Sequence, residues 1–175
     1  MKRMEKRRGK HMLLYLPGEE DPIAALYDRY AAMLYRLALS VVKQSEDAED
    51  VVQSVFEKYV RQPHLFLSQE HEKAWMLRVT VNQCKDVLRR SRMRRSVPLE
   101  DAAHVGAWDR YSEVTDVLER LPETYRVPLV LYYFEECKVD EIAKALGIGV
   151  SAVKMRLKRG RELLKDALEG GETHD

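Results

Sequence analysis

The apolar positions recur at helical spacing along most of the chain and alternate strand-like nowhere. Asp21-Pro22 supplies an N-cap residue and a proline suited to the first helical position. Ile23, Leu26, Tyr30, Leu34, Leu37 and Val41 follow at intervals of three and four, which predicts a first helix. Ser45 can cap a second, whose first turn holds Glu46, Asp47 and Glu49, where carboxylates suit the positive end of the helix dipole, and which should end near Arg61, ahead of Pro63. Residues 62–69 show no period and are read as a loop. From residue 70 to about 92 a long third helix is predicted, with Leu77, Val81, Cys84 and Leu88 on one side and Trp75, Arg78, Asn82, Lys85 and Arg89 on the other.

Periodicity lapses between residues 91 and 112 in a mixed, acidic stretch with Pro98 and Gly106, the composition of a linker. Beyond it, one helix ends and the next begins around Pro122, and residues 123–135 supply a mostly buried helix in which Pro128 predicts a kink. Asp140 caps a short helix that stops at Gly147, and Ser151 caps a last helix running to about residue 168. Helix, glycine turn, helix is the pattern of a helix-turn-helix. The expected fold is all-α, two small helical domains joined by a flexible linker: a basic N-terminal tail (1–21), a first domain (22–93), the linker (94–112), a helix-turn-helix domain (113–168) and a C-terminal tail (169–175).

Charge sharpens this picture more than composition does. With 175 residues, 45% of them apolar and 34% charged, the chain has the make-up of a globular protein. Its apolar runs fall far short of the roughly twenty residues that span a bilayer, and the patch after the basic amino terminus is too short for a signal-peptide core, so a cytoplasmic protein without membrane insertion is expected. The net charge of +1 resolves into blocks. Residues 73–95 carry eight bases against one acid, residues 150–165 six against one, and residues 96–125 between them seven acids against two bases. Two positive surfaces are thus separated by an acidic spacer. Cys84 and Cys137 have no metal-ligand spacing with any histidine and are expected to be buried reduced thiols.

On the last helix, Val153, Leu157 and Leu164 point to the core and leave Ser151, Lys154, Met155, Lys158 and Arg161 outward, the layout of a recognition helix whose first turns enter a major groove. On the third helix, Trp75 heads a polar stripe through Arg78, Asn82 and Arg89. An aromatic amid cations suits unpaired bases, although Trp75 could equally belong to the core. On the second helix, Glu46, Glu49, Asp50, Gln53 and Glu57 share a face, with Phe56 expected exposed at its edge as an apolar anchor. That stripe suits a basic protein partner and not DNA.

These segments resemble the extracytoplasmic-function sigma factors of bacterial RNA polymerase, from about residue 22 to 168 without the linker. Asp47-Ala-Glu-Asp-Val-Val-Gln-Ser-Val-Phe56 is similar to the family segment that holds the clamp helices of the polymerase's largest subunit, which implies Asp47, Glu49, Asp50, Gln53 and Phe56 as polymerase-binding residues. Residues 74–90 look like the helix that melts and reads the minus-ten element, which implies DNA contacts from Trp75, Arg78, Asn82, Lys85, Asp86, Arg89 and Arg90, with the loop before it helping to capture a flipped base. Leu121-Pro-Glu-Thr-Tyr-Arg126 and Asp140-Glu-Ile-Ala-Lys-Ala-Leu-Gly147 look like the family's second domain. Its last helix reads the minus-thirty-five element, here through Ser151, Lys154, Met155, Arg156, Lys158, Arg159 and Arg161. Three residues depart from that pattern: Ala152 where threonine is usual, Met155 where a small polar residue is usual, and Gly160 where alanine is usual. Residues 95–113 are too few for a globular third domain, which favours the two-domain subgroup.

The resemblance implies a non-enzymatic factor that recruits core polymerase to promoter DNA, with an anti-sigma factor as inhibitor and no cofactor. No nucleophile and base pair, metal cluster or phosphate loop is evident, so no catalytic or metal residues are assigned. Two rivals stand beside this reading. One is a conventional helix-turn-helix repressor or activator that dimerises through its first domain; the other is a protein-interaction module whose helix-turn-helix is buried in a partner.

Overall fold

The computed structural model describes residues 22–61, 66–94 and 112–169. The expected linker lies almost wholly outside these residues, as do both tails and Asp21. Among the described residues there is no strand, and the chain forms α1 (Pro22–Val42), α2 (Ser45–Arg61), α3 (Gln69–Arg94), α4 (Ser112–Arg120), α5 (Glu123–Leu129), a π-helical turn (Val130–Phe134), α6 (Val139–Leu146) and α7 (Val150–Glu169).

The first three helices pack on one another as a unit. Leu34, Leu37 and Ala38 from α1, Ala48, Val51 and Val55 from α2, and Met76, Leu77 and Cys84 from α3 are completely enclosed. The α2 residues recur at three- and four-residue spacing, and the α1 and α3 residues each lie within one helical face, so burial follows the sequence period. Thr80 is buried in the same stripe, and its hydroxyl donates to the Met76 carbonyl at 2.9 Å, which satisfies a polar group that would otherwise be costly to enclose. Leu88, assigned to the core by its period, is only partly buried on the rim of the cluster. Between α1 and α2 the backbone reverses at Lys43, in the left-handed region at φ 62°, whose N–H closes the turn on the Leu39 carbonyl at 2.9 Å.

The second unit is built on α5 and α7, with α4 and α6 packed on α7. Pro128 lies buried inside α5, and the helix runs on through it, widening into the π-helical turn. In that turn the Glu135 N–H reaches back five residues to the Val130 carbonyl at 3.2 Å, so the coil widens on the C-terminal side of the proline.

Two cap assignments shift by one or two residues. The N-cap of α6 is Lys138, not Asp140; the Glu141 carboxylate accepts from the Lys138 N–H at 2.7 Å, while Asp140 sits in the first turn, where its charge still faces the positive helix end. Helix α7 begins at Val150, so Ser151 is its second residue and not its cap. Gly147 adopts φ 68°, a left-handed conformation that ends α6 and sets the turn of the helix-turn-helix.

The two units touch. Helix α3 packs on α6, α1 packs on α5 and the π-helical turn, and the buried apolar residues of both units join in one cluster.

Candidate nucleic-acid and polymerase interfaces

Helix α2 is amphipathic enough to bury one side and leave Glu46, Glu49, Asp50, Gln53 and Glu57 exposed on the other, with Asp47 half-buried. Its apolar edge does not project as expected. Phe56 is 8% exposed, packed in the core beside Val52 and Val55 with its ring 5.0 Å from that of Tyr27. The reason is that α1 lies across this edge of α2 and covers a ring that the helical wheel of α2 alone leaves outside. The exposed apolar groups are instead Tyr27 and Val60, at 53% and 60%. Together with Ala31, Tyr35, Val52 and Phe56 they form a groove of about 830 Å³ between α1 and α2, bordered by Glu49, Gln53, Glu57 and Arg61. Along that border Gln53 donates to Glu57 at 3.3 Å and Arg61 to the same carboxylate at 2.9 Å.

A second, more polar groove of about 470 Å³ runs between α2 and α3 and brings Asp47, Asp50 and Gln53 together with Gln83 and Arg90. Polymerase-binding candidates and a minus-ten candidate thus border one surface. Lys58 of α2 donates to Gln83 at 2.8 Å and ties the two helices across it.

On α3, Arg78, Asn82, Lys85, Arg89 and Arg90 are exposed. Asp86 is half-buried and orders its neighbours: it accepts from Arg89 at 3.1 Å, and its carbonyl accepts from Arg90 at 3.3 Å. Trp75 stands apart from this set. It is half-buried, its ring edge-on to Tyr59 and Phe66 with centroids 5.9 Å from each, so its packing is that of a support for the chain just before α3. At the base of the same aromatic group, Glu72 accepts from the hydroxyls of Tyr30 at 3.1 Å and Tyr59 at 2.8 Å, with Arg29 at 3.5 Å. Burial, then the bonded Glu72 carboxylate, pushes the Tyr59 phenol up to about 12. Sequence reading missed this cluster, since a lone glutamate among charged residues carries no periodic signal.

On α7, Ser151, Lys154, Met155, Lys158, Arg159 and Arg161 are exposed and Arg156 is half-buried, while Val153 and Leu157 are buried as the period requires. Arg159 pairs with Glu162 at 3.1 Å, and Arg161 donates to the Tyr133 hydroxyl at 3.4 Å. Gly160 is buried. A Cβ built there would lie 2.9 Å from Leu129 Cδ1 and 3.2 Å from its Cγ, so α5 and α7 approach more closely than an alanine allows. Both cysteines are free and buried, and burial pushes the Cys84 thiol up to about 12 and the Cys137 thiol up to about 11. Among the described residues no cluster of His, Cys, Asp and Glu could hold a metal, and no helix is long and apolar enough to cross a membrane.

A three-helix unit with an acid-rimmed apolar groove, followed by a helix-turn-helix with a basic second helix, defines a class of transcription factor in which one chain has both a protein-docking and a DNA-reading surface. The family comparisons are specific within it: Sigma-70 region 2 matches residues 26–95, and Sigma-70, region 4 matches residues 111–164. RNA polymerase sigma factor SigV of Bacillus subtilis is 32% identical over 135 residues, covering 75% of this chain and 81% of that protein. ECF RNA polymerase sigma factor SigM of Mycobacterium tuberculosis is 29% identical over 168 residues, covering 93% and 85%. The chain belongs to the extracytoplasmic-function sigma factors of the sigma-70 family, non-enzymatic factors that bind core RNA polymerase and direct promoter-specific initiation.

Among solved structures, the sigma factor RpoE in complex with the anti-sigma factor NepR from Bartonella quintana superposes with a TM-score of 0.67 at 20% identity, covering 83% of this chain and 96% of that one. CnrH in complex with the cytosolic domain of CnrY gives 0.61 at 25%, covering 87% and 91%.

Proposed function

We propose that Asp47, Glu49, Asp50 and Gln53 on α2, with the groove floored by Phe56, dock on the clamp helices of the polymerase's largest subunit. Arg78, Asn82, Lys85, Arg89 and Arg90 on α3 then hold the opened minus-ten segment, and the exposed polar face of α7 reads the minus-thirty-five duplex. The observation that carries the docking assignment is the pairing of an apolar groove with a row of exposed acids along its border. An apolar floor supplies binding energy, and the acids select a basic partner. DNA would be repelled from such a border, whereas α3 and α7 present the opposite sign.

Asp86 acts on this reading by holding Arg89 and Arg90 in place, and Trp75 by supporting the entry to α3. Control by an anti-sigma protein in a stress or envelope response, with the factor acting in the cytoplasm, completes the proposal; the anti-sigma part is supported by the two solved structures above, which are complexes, one with a named anti-sigma factor.

The test is co-purification with core polymerase of wild type and of a Glu49→Ala, Asp50→Ala, Gln53→Ala triple variant, all exposed positions whose replacement spares the core. Wild type should be retained and the variant lost at matched helix content by circular dichroism. Equal retention would place the docking surface elsewhere.

A further inference from the structure

We infer that the segment preceding α1 folds back over the groove between α1 and α2 and occupies it until core polymerase displaces it. The inference rests on the assignment of that groove to polymerase docking for its regulatory meaning, and on the groove's own shape and charge for the choice of occupant.

The groove presents three zones in a fixed order. Helices α1 and α2, joined through Lys43, run antiparallel, so Tyr27 near the start of α1 meets Phe56 near the end of α2. Nearest to Pro22, where α1 begins, the exposed Arg61 stands at the groove's lip. Next comes the apolar stretch, with Tyr27 and Val60 exposed above a floor that includes Phe56. Farthest from Pro22 lie Glu49 on the border and Glu46 one turn beyond it, both exposed.

The residues before Pro22 carry complementary groups in the matching order. Reading backward from Pro22, Glu19, Glu20 and Asp21 come first, then the apolar run Met12-Leu-Leu-Tyr-Leu16, then six bases against one acid between residues 2 and 10. Pro17-Gly18 supplies the residues that a chain reversal needs. Laid back along α1, the acids fall opposite Arg61, the apolar run opposite Tyr27 and Val60, and the bases opposite Glu49 and Glu46. The lengths agree. Five extended residues span about 17 Å at about 3.3 Å each, and the stretch of α1 from Tyr27 to Tyr35 rises about 12 Å at about 1.5 Å per residue.

Charge alone would also suit DNA phosphates. The apolar run decides between the two, because a groove that exposes tyrosine and valine removes it from water and a phosphate backbone does not. Tethering makes a weak contact sufficient. A tether of about five residues gives an effective concentration of about 1 mM. An intrinsic dissociation constant of about 0.1 mM then fills the groove about nine-tenths of the time and lowers the apparent polymerase affinity about tenfold.

The test reads the groove first and polymerase second. The rate at which Val60→Cys reacts with N-ethylmaleimide is measured in the full-length chain, in that chain carrying Leu13→Ser and Leu14→Ser, and in a chain lacking residues 1–16, with Asp166→Cys on α7 as the control position; both sites are exposed. The native thiols are buried, which leaves the introduced one as the reactive group. Core-polymerase affinity is measured on chains without the added cysteine.

Val60→Cys should react about tenfold faster in both altered chains, with Asp166→Cys unchanged, and both altered chains should bind core polymerase about tenfold more tightly. Added salt should speed the reaction of the full-length chain and leave that of the truncated chain unchanged. Equal rates in the three chains would overturn the proposal, as would a rate gain with polymerase affinity unchanged. A truncation that only weakens duplex binding would overturn it too, assigning the bases to DNA phosphates. A rate gain with no polymerase binding by any form would sink the docking assignment and leave the groove contact standing.

Discussion

Gly160→Ala tests whether a family departure in the recognition helix belongs to packing or to base reading. Gly160 is enclosed between α7 and α5, and a Cβ added there would sit 2.9 Å from Leu129 Cδ1, 3.2 Å from Leu129 Cγ and 3.4 Å from Tyr125 Cβ. Leu129 is itself 1% exposed, so its methyl group has little room to retreat. Alanine in place of glycine inside a helix gains about 1 kcal/mol. Forcing a methyl into a filled core costs about 1 to 3 kcal/mol. The second effect wins, for an expected net loss of about 1 kcal/mol.

In a Leu129→Ala background, already destabilised by about 2 to 5 kcal/mol, the obstruction is gone and the same change should stabilise by about 1 kcal/mol. The assay is urea unfolding of the four chains of this cycle. A coupling of about 2 kcal/mol supports the packing account. Equal effects of Gly160→Ala in both backgrounds would refute it.

Three further outcomes follow from the same structure. Arg126→Met should destabilise by about 3 kcal/mol in urea unfolding, because it abandons the Ser40 and Leu121 carbonyls, whose bonds to the guanidinium are buried, and a loss under 1 kcal/mol would contradict that role. Stability should fall as pH rises from about 9 to 12: Cys84, Cys137 and Tyr59 have folded values of about 12, 11 and 12, above their ordinary 9, 9 and 10, so the protonated forms that the fold favours are fully present below those ordinary values and lost above them. A urea midpoint unchanged between pH 8 and pH 11 would contradict this. Lys158→Ala, at an exposed position of α7, should lower the salt dependence of duplex binding by about one counterion, with sequence preference unchanged; an unchanged slope would remove Lys158 from the phosphate contacts.

Most of the fold was legible because burial follows period. The apolar spacing of α1, the proline that opens it, and the Gly147 turn before α7 each express a local rule that tertiary packing leaves intact. Misreadings arose where a second element intervenes. Phe56 looks exposed on the wheel of α2 and is buried because α1 crosses it. Pro128 is followed by a π-helical turn that the apolar period does not announce. Lys138 and not Asp140 caps α6, with its N–H taken by the Glu141 carboxylate, a pattern that the cap residue's identity does not reveal. Least legible was the contact between units. Arg36 and Glu135 are 99 positions apart, and Arg126 and Ser40 are 86 apart, each resembling an ordinary polar residue on its own helix.

The most direct test of the central claim is promoter-specific transcript initiation by purified core polymerase with and without this chain, on templates bearing promoters bound by the holoenzyme in its native host. The account predicts specific transcripts only when the chain is present, and their loss with the Glu49→Ala, Asp50→Ala, Gln53→Ala variant. Specific initiation that is independent of the chain, or a chain that binds those promoters tightly without polymerase and directs no transcript from them, would contradict it.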